Sequence, residues 1–157
     1  MKSNSIRFIF VSIIILLISF VFIYSNNCFD LNNLSYYNLK VFFDYNFQND
    51  NLTVKQNGIG TYVCCNANEF ENIKKDYTYS GLSFNSKESL DVILKKLNAQ
   101  IVKIQHLTLN NEQKTIVYAY TNLYDKFIVS ENKKINVQIV DEKYCCTIGM
   151  PVLLGSY

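Results

Sequence analysis

Apolar and polar residues divide the chain into an N-terminal apolar segment and a longer region of mixed pattern. Residues 8–24 carry no charge and consist mainly of Ile, Phe, Leu and Val, and they follow Lys2 and Arg7. A helix rises ~1.5 Å per residue, so this run spans about 26 Å, near the thickness of a bilayer core. The pattern therefore predicts a transmembrane or signal helix within residues 1–25.

The flanks of this segment predict its orientation and leave its cleavage open. Cleavage after Ser25 would place Ile23 at a position that prefers a small residue. We therefore expect an uncleaved anchor, with a cleaved signal peptide as the alternative. Because the basic residues precede the segment, the positive-inside rule places the N-terminus in the cytoplasm. Residues 26–157 would lie outside the cell membrane as a single-pass protein, or be secreted after cleavage.

The next region, residues 26–57, is rich in Asn and has apolar residues at helical spacing. Leu31, Leu34, Tyr37 and Val41 lie three or four positions apart. This spacing predicts an amphipathic helix that runs into a strand. We interpret residues 26–57 as a connecting region before the main domain, residues 58–157.

Two helices are predicted early in residues 58–157. Asn66 with Glu69, and Asn85 with Glu88, each match an N-cap residue followed three positions later by an acid. These capping boxes predict helices at 67–75 and 86–97, and strands rich in β-formers are predicted just before them, at 59–65 and 79–84.

After Asn98 the apolar residues recur at every second position or in short runs, which is typical of strands. The predicted strands are 100–107, 115–121, 127–130, 135–140 and 144–148. Consecutive strands separated by turn residues form antiparallel meanders. The fold class predicted is α+β, with two or three helices packed on one face of a mostly antiparallel sheet.

Charge and motifs narrow the range of functions. The net charge is +2, from 15 basic and 13 acidic residues spread without a cluster, so the chain lacks the basic surface of a nucleic-acid-binding protein. It contains no nucleophile elbow, phosphate-binding loop or paired-histidine motif. The only histidine, His106, is in phase with Val102 and Ile104 on a predicted strand, as a core or edge residue would be. We predict no catalytic residue, no cofactor and no enzyme activity. An envelope enzyme with an unrecognised site is the less favoured alternative.

Four of the five cysteines form two vicinal pairs, Cys64 with Cys65 and Cys145 with Cys146. Successive side chains of a strand point to opposite faces, so four sulfurs could not converge on one tetrahedral metal ion. One disulfide between the pairs requires that their strands be neighbours. The alternative is that these residues are buried free thiols, which behave as small apolar side chains.

A binding surface is predicted on the sheet face away from the helices. Asn136 and Gln138 alternate with Ile135, Val137 and Ile139, which indicates an amide-rich face. Tyrosines that share one phase of another strand would add flat aromatic surface suited to peptide or glycan contacts; they are Tyr118 and Tyr120. The expected partner is an envelope protein or a wall polymer. Self-association of this face into a homodimer is the second hypothesis.

Short motifs in the second half of the chain resemble the exported YwmB proteins of Firmicutes. They are Gly81-Leu82-Ser83-Phe84, Tyr118-Ala119-Tyr120, the strand at 134–139, Ile148-Gly149-Met150-Pro151 and Gly155-Ser156-Tyr157. The resemblance covers residues 58–157. It implies an α+β domain with a fold like that of TATA-box-binding protein, behind a signal or anchor, with no established activity. That likeness concerns fold, since the charge of this chain does not suit DNA binding.

Overall fold

The computed structural model describes residues 31–57, 60–109 and 112–151. The helices are α1 (Ala67–Asp76) and α2 (Leu90–Lys96), and a 3₁₀ turn covers Leu31–Asn33. The strands are β1 (Tyr36–Phe43), β2 (Val54–Asn57), β3 (Gly60–Cys65), β4 (Gly81–Ser86), β5 (Gln100–Leu109), β6 (Glu112–Tyr120), β7 (Ile128–Ser130), β8 (Lys133–Ile135), β9 (Val137–Asp141) and β10 (Cys146–Met150).

Eight strands form one sheet in the order β2-β3-β1-β4-β10-β9-β6-β5, and β7 pairs with β8 in a separate hairpin. Every neighbouring pair in the large sheet is antiparallel. The first and last of the described strands, β1 and β10, both lie inside the sheet, on either side of β4. The centre of the sheet therefore combines the two ends of the described chain.

Both helices cross the sheet in the same direction. The chain passes from β3 over β1 to β4 through α1, and from β4 over three strands to β5 through α2. Crossovers between parallel strands are right-handed, so two that move in one direction place their helices on one face. Phe70 and Ile73 of α1 and Ile93 of α2 belong to one core cluster with the sheet. The predicted α+β fold is confirmed, and the predicted N-terminal helix lies outside the described residues.

Strand β1 replaces the amphipathic helix predicted after residue 30. Its core side chains, Leu39, Val41 and Phe43, follow a period of two and are at most 2% exposed. Val41 lies directly between Val63 of β3 and Leu82 of β4. The helical prediction is wrong because pairing on both sides of β1 outweighs a helical spacing that was equally compatible with a buried strand. Residues 36–57 supply two strands of the same sheet.

Helix α1 begins as the sequence predicts. The Asn66 side chain accepts a hydrogen bond of 3.0 Å from the Glu69 backbone N–H, and the Asn66 N–H donates to the Glu69 carboxylate at 2.8 Å. Two backbone donors that a helix start leaves without partners are thus satisfied. The capping box at this position is confirmed.

Helix α2 begins four residues later than predicted. Asn85 pairs with Thr147 inside β4, and the N-cap residue is Ser89, whose side chain makes no capping hydrogen bond. The Glu88 carboxylate instead accepts from the Ser35 N–H at 3.3 Å and from Lys96 at 2.6 Å. The second predicted capping box is therefore wrong, because sheet pairing extends β4 through the expected cap.

Candidate functional site

The sheet face away from the helices, called here the second face, carries the candidate site. Residues directly opposite each other in antiparallel strands share a face. The register places one residue from each of seven strands in a line across this face. This central row consists of Cys64, Lys40, Ser83, Gly149, Gln138, Tyr118 and Lys103.

Tyr118 lies between two polar side chains in that row. Its neighbours in β6, Val117 and Ala119, are fully buried in the core, so Tyr118 points to the second face. The residues opposite it are Gln138 of β9 and Lys103 of β5. We call these three residues, with Tyr120 and Gln105, the Tyr118 cluster.

The remaining members of the Tyr118 cluster extend it along the strands. Tyr120 is half-buried and lies opposite Gln100 of β5, while Gln105 lies opposite Ile116 in the adjacent row. The predicted phase of Tyr118 and Tyr120 thus places both on the second face. The cluster joins aromatic rings to amide and ammonium donors, a combination that contacts both the apolar and the hydroxyl surfaces of a ligand.

Asn136 does not belong to this surface. Its side chain is 0% exposed, accepts a hydrogen bond of 2.8 Å from the Thr121 N–H, and donates to the carbonyls of Thr121 at 2.7 Å and Tyr124 at 2.6 Å. Asn136 belongs to neither strand, since β8 ends at Ile135 and β9 begins at Val137. The expectation that Asn136 lies on an exposed binding face is therefore wrong, and Asn136 fixes the loop after β6. Gln138 does lie on the second face, but it is only 8% exposed.

The opposite end of the central row has a second aromatic group. Phe42 of β1 faces Tyr62 of β3, with ring centroids 5.6 Å apart, and the Lys40 Nζ lies 5.7 Å from the Tyr62 ring centroid. This cation–π contact places a positive charge on the second face. The second face therefore presents aromatic and cationic groups at both ends of the row.

Ion pairs organise the cationic side chains near β5 and β6. Lys103 Nζ lies 3.0 Å from Glu131 in the β7–β8 turn, and this hydrogen bond lowers the pKa of the Glu131 carboxyl. Lys114 Nζ lies 2.7 Å from Glu142, whose hydrogen bond raises the pKa of Lys114. Both pairs are partly exposed, so their effect is chiefly to orient the lysines.

The cysteines do not meet across the sheet. Strands β1 and β4 separate β3, which holds Cys64 and Cys65, from β10, which begins at Cys146. These four thiols, including Cys145, are free. Adjacent strands lie ~4.8 Å apart, so two intervening strands hold the pairs well beyond the reach of a disulfide. The condition for a disulfide between the pairs is therefore not met.

A cavity adjoins the start of α1. It has a volume of about 500 Å³ and is lined by residues 34–39 and 65–67. A helix N-terminus attracts anions, but here the Glu69 carboxylate already accepts from the Asn66 N–H. Burial, followed by the nearby Glu69 charge, raises the pKa of Cys65 to about 12, which keeps this thiol protonated and weakly nucleophilic. Cys65 therefore gives this cavity no reactive thiolate at neutral pH.

Residues 31–57, 60–109 and 112–151 contain neither a candidate metal site nor a histidine placed for catalysis in the Tyr118 cluster. No three His, Cys, Asp or Glu side chains within these ranges are grouped to hold a metal ion. His106 is exposed on the edge strand β5, where its Nδ1 lies 3.2 Å from the Thr115 hydroxyl. It lies on the opposite side of the sheet from the Tyr118 cluster.

The sequence did not identify Lys103, Lys40 or Tyr62 as site residues. The alternation of Lys103 and Gln105 with Val102 and Ile104 does predict the polar face for Lys103. The structure places Lys103 opposite Tyr118 on that face, directly after a register shift between Ile101 and Lys103. A β-bulge of this kind moves every later side chain to the other face, and alternation alone cannot locate it. Lys40 follows a similar shift in β1.

Within the described part of the chain, no helix has the length and apolar character needed to span a bilayer, and the predicted segment at 8–24 lies outside that part. Comparison with protein-family models, curated proteins and solved structures finds no match for this chain. The resemblance to the YwmB proteins therefore stays a prediction.

Proposed function

We propose that this chain is a non-catalytic binding module of the cell envelope, anchored through residues 8–24, and that the Tyr118 cluster is its contact surface. The observation that carries the proposal is the register that sets Tyr118 directly between Gln138 and Lys103. Tyr118 and Lys103 are thus held side by side on neighbouring strands, next to Gln138, which is only 8% exposed, and this limits the entropy lost when a ligand binds.

A polysaccharide of the envelope is the ligand class that fits this surface best. Sugar rings have apolar faces that stack on aromatic rings, and hydroxyl groups that accept from amide and ammonium donors. The second face is also elongated, since the central row crosses seven strands, or ~29 Å at ~4.8 Å per spacing. A polymer chain could therefore contact several residues of the row at once.

Binding without hydrolysis is favoured by the absence of acids in this row. Glycoside hydrolysis generally requires a pair of carboxyl groups about 5–10 Å apart. The seven residues of the central row include no carboxyl group. Glu131 and Glu142, which lie in turns outside the row, are each paired with a lysine.

Co-sedimentation of the full-length protein, in detergent micelles, with purified wall polysaccharide tests this proposal. We expect Tyr118→Ala and Lys103→Ala each to weaken binding about tenfold, which corresponds to ~1.4 kcal/mol. Tyr118→Phe should retain most of the affinity because the ring remains. Tyr144→Ala is the matched control, since Tyr144 is 80% exposed in the β9–β10 turn, outside the central row.

Two results would contradict the proposal. One is a wild-type protein that stays in the supernatant at every polysaccharide concentration. The other is an equal loss of binding in Tyr144→Ala and Tyr118→Ala, which would mean that exposed tyrosines act without regard to position. Circular dichroism of each variant verifies that the sheet is intact.

A further inference from the structure

The outer edge of β5 is the longer of the two edges of the described sheet. β5 has ten residues, and among the described strands only β6 pairs with it. An edge strand leaves alternate N–H and C=O groups free to pair with another strand. The opposite edge strand, β2, has four residues and includes the exposed Lys55, as a protected edge should.

Apolar side chains accompany this edge. Ile104 and Ile101 are 47% and 49% exposed, and both share the helix side of the sheet through their partners Val117 and Ala119. Leu107 is 42% exposed and lies on the second face. A strand added to β5 would therefore cover apolar surface on both faces in addition to the backbone edge.

Charge identifies a second copy of this chain as a suitable occupant. Lys103 is the only formally charged residue of β5 at neutral pH, and its ammonium is paired with Glu131 of the same chain. Two copies of β5 can therefore approach without an unpaired charge on either strand. A partner peptide of high charge would find no complementary group along this edge.

We propose that two copies of this chain pair through β5 in antiparallel orientation, with the two-fold axis at Ile104. This register sets the half-exposed Ile104 opposite Ile104 of the second copy, and Lys103 opposite Gln105 of the second copy. Registers centred one residue to either side are poorer: one opposes the two Lys103 residues, and the other opposes Ile104 with His106. The eight-stranded sheets then join into one continuous sheet.

Pairing of this kind would place two Tyr118 clusters on one continuous second face. Tyr118 lies on β6, next to the edge strand, so the two copies of Tyr118 would be three strand spacings apart, or ~14 Å. A repeating polymer could contact both clusters, which raises affinity by effective concentration. This consequence rests on the proposed binding function, whereas the pairing itself does not.

Charged residues introduced at position 104 test the pairing. The mass of the full-length protein is measured by light scattering in detergent micelles. We expect a dimer for the wild type, and the monomer mass for Ile104→Lys and for Ile104→Glu, since like charges meet at the axis. An equal mixture of the two variants should regain the dimer mass because opposite charges then meet. Tyr45→Lys and Tyr45→Glu are the controls, since Tyr45 is 42% exposed beside β1 and should leave the dimer unchanged.

A monomeric wild-type protein overturns the proposal. Single variants that remain dimeric also overturn it, as does a mixture that stays monomeric, because that edge would then have a different partner or none.

Oxidative cross-linking gives a second measurement, which can be used if a charged variant folds poorly. Ile104→Cys should form a cross-linked dimer above the background of the native cysteines, and a yield no greater than that of Tyr45→Cys would contradict the pairing.

Discussion

At the scale of single residues, two thiols should make the stability of the fold depend on pH in the alkaline range. Burial, followed by the charge of Glu69, raises the pKa of Cys65 from 9.0 to about 12. Burial and the neighbouring Asp141 raise the pKa of Cys146 in the same way, to about 12. In the unfolded chain these thiols ionise at lower pH, so the folded state binds more protons than the unfolded state between the two values.

We therefore expect stability to be complete below about pH 9 and to fall as the pH rises toward about 12. Each thiol should contribute a loss of about 1 kcal/mol by about pH 10. Urea denaturation midpoints measured at successive pH values test this prediction. The double variant Cys65→Ala/Cys146→Ala should show a shallower decline, whereas Cys64→Ala, which alters an exposed thiol, should follow the wild type. Equal slopes in all three proteins would contradict the prediction.

Residue identity and alternation located only part of the candidate site. Tyr118 and Gln138 lie on the second face as their strand phase predicts, because each sits inside an unbroken strand. Asn136 has the same functional group as Gln138 but lies in the break before β9, where it bonds to three backbone groups. Only the tertiary position of residues 121–124 determines that outcome, and no local pattern encodes it.

At the scale of elements, the reciprocal Asn66–Glu69 bonds determine where α1 starts. An N-cap side chain contributes about 1 kcal/mol to helix stability. Near its C-terminus α1 carries Lys74 and Lys75, which interact favourably with the negative end of the helix dipole. The position of the helix is thus specified at both ends by the local sequence.

Asn66→Ala should lower the free energy of unfolding by about 1 kcal/mol. The Glu69 N–H loses the side-chain oxygen that accepts its hydrogen bond, and the reciprocal bond from the backbone N–H of residue 66 to the Glu69 carboxylate is weakened. Chemical denaturation measures this loss. Asn68→Ala makes the same chemical change two residues later, within α1, where alanine is the better helix former, so it should leave stability unchanged or slightly higher. A loss as large for Asn68→Ala as for Asn66→Ala would show that the capping bonds are not its cause.

Capping residues and apolar spacing predicted those helices and strands whose tertiary contacts favour the same secondary structure. The helix at α1 and the alternating strands β5, β6 and β9 fall close to their predicted positions. β1 and the start of α2 were misassigned, since the decisive contacts come from strands distant in sequence. The residues on either side of Val41 in the sheet, Val63 and Leu82, are 22 and 41 positions away.

At the scale of the whole molecule, the chain combines an apolar N-terminal segment with a domain whose main core cluster lies on one side of a sheet. Both helices pack on that side. The second face carries Tyr118 beside side chains that are buried there, namely Gln138, Val140 and Ile116. The fold class follows from the number and type of predicted elements. The strand order does not, because placing β10 between β4 and β9 depends on contacts that alternation cannot specify.

Export of residues 26–157 is a prediction that belongs to this scale. A phosphatase that is active only outside the cytoplasm, fused after Tyr157, should be active because Lys2 and Arg7 hold the N-terminus inside. The same fusion lacking residues 1–25 should be inactive. Activity of a reporter that works only in the cytoplasm, at the same fusion point, would mean that the orientation is reversed.

The central position of β10 also governs when the protein can acquire its shape. A chain is synthesised from its N-terminus, so β4 and β9 both appear before the strand that joins them. Until Met150 has emerged, the sheet is divided into two parts with open edges and a partly uncovered core. The newly made chain therefore depends on β10 to complete one cooperative unit, and it is most vulnerable to proteolysis and aggregation until that strand has emerged.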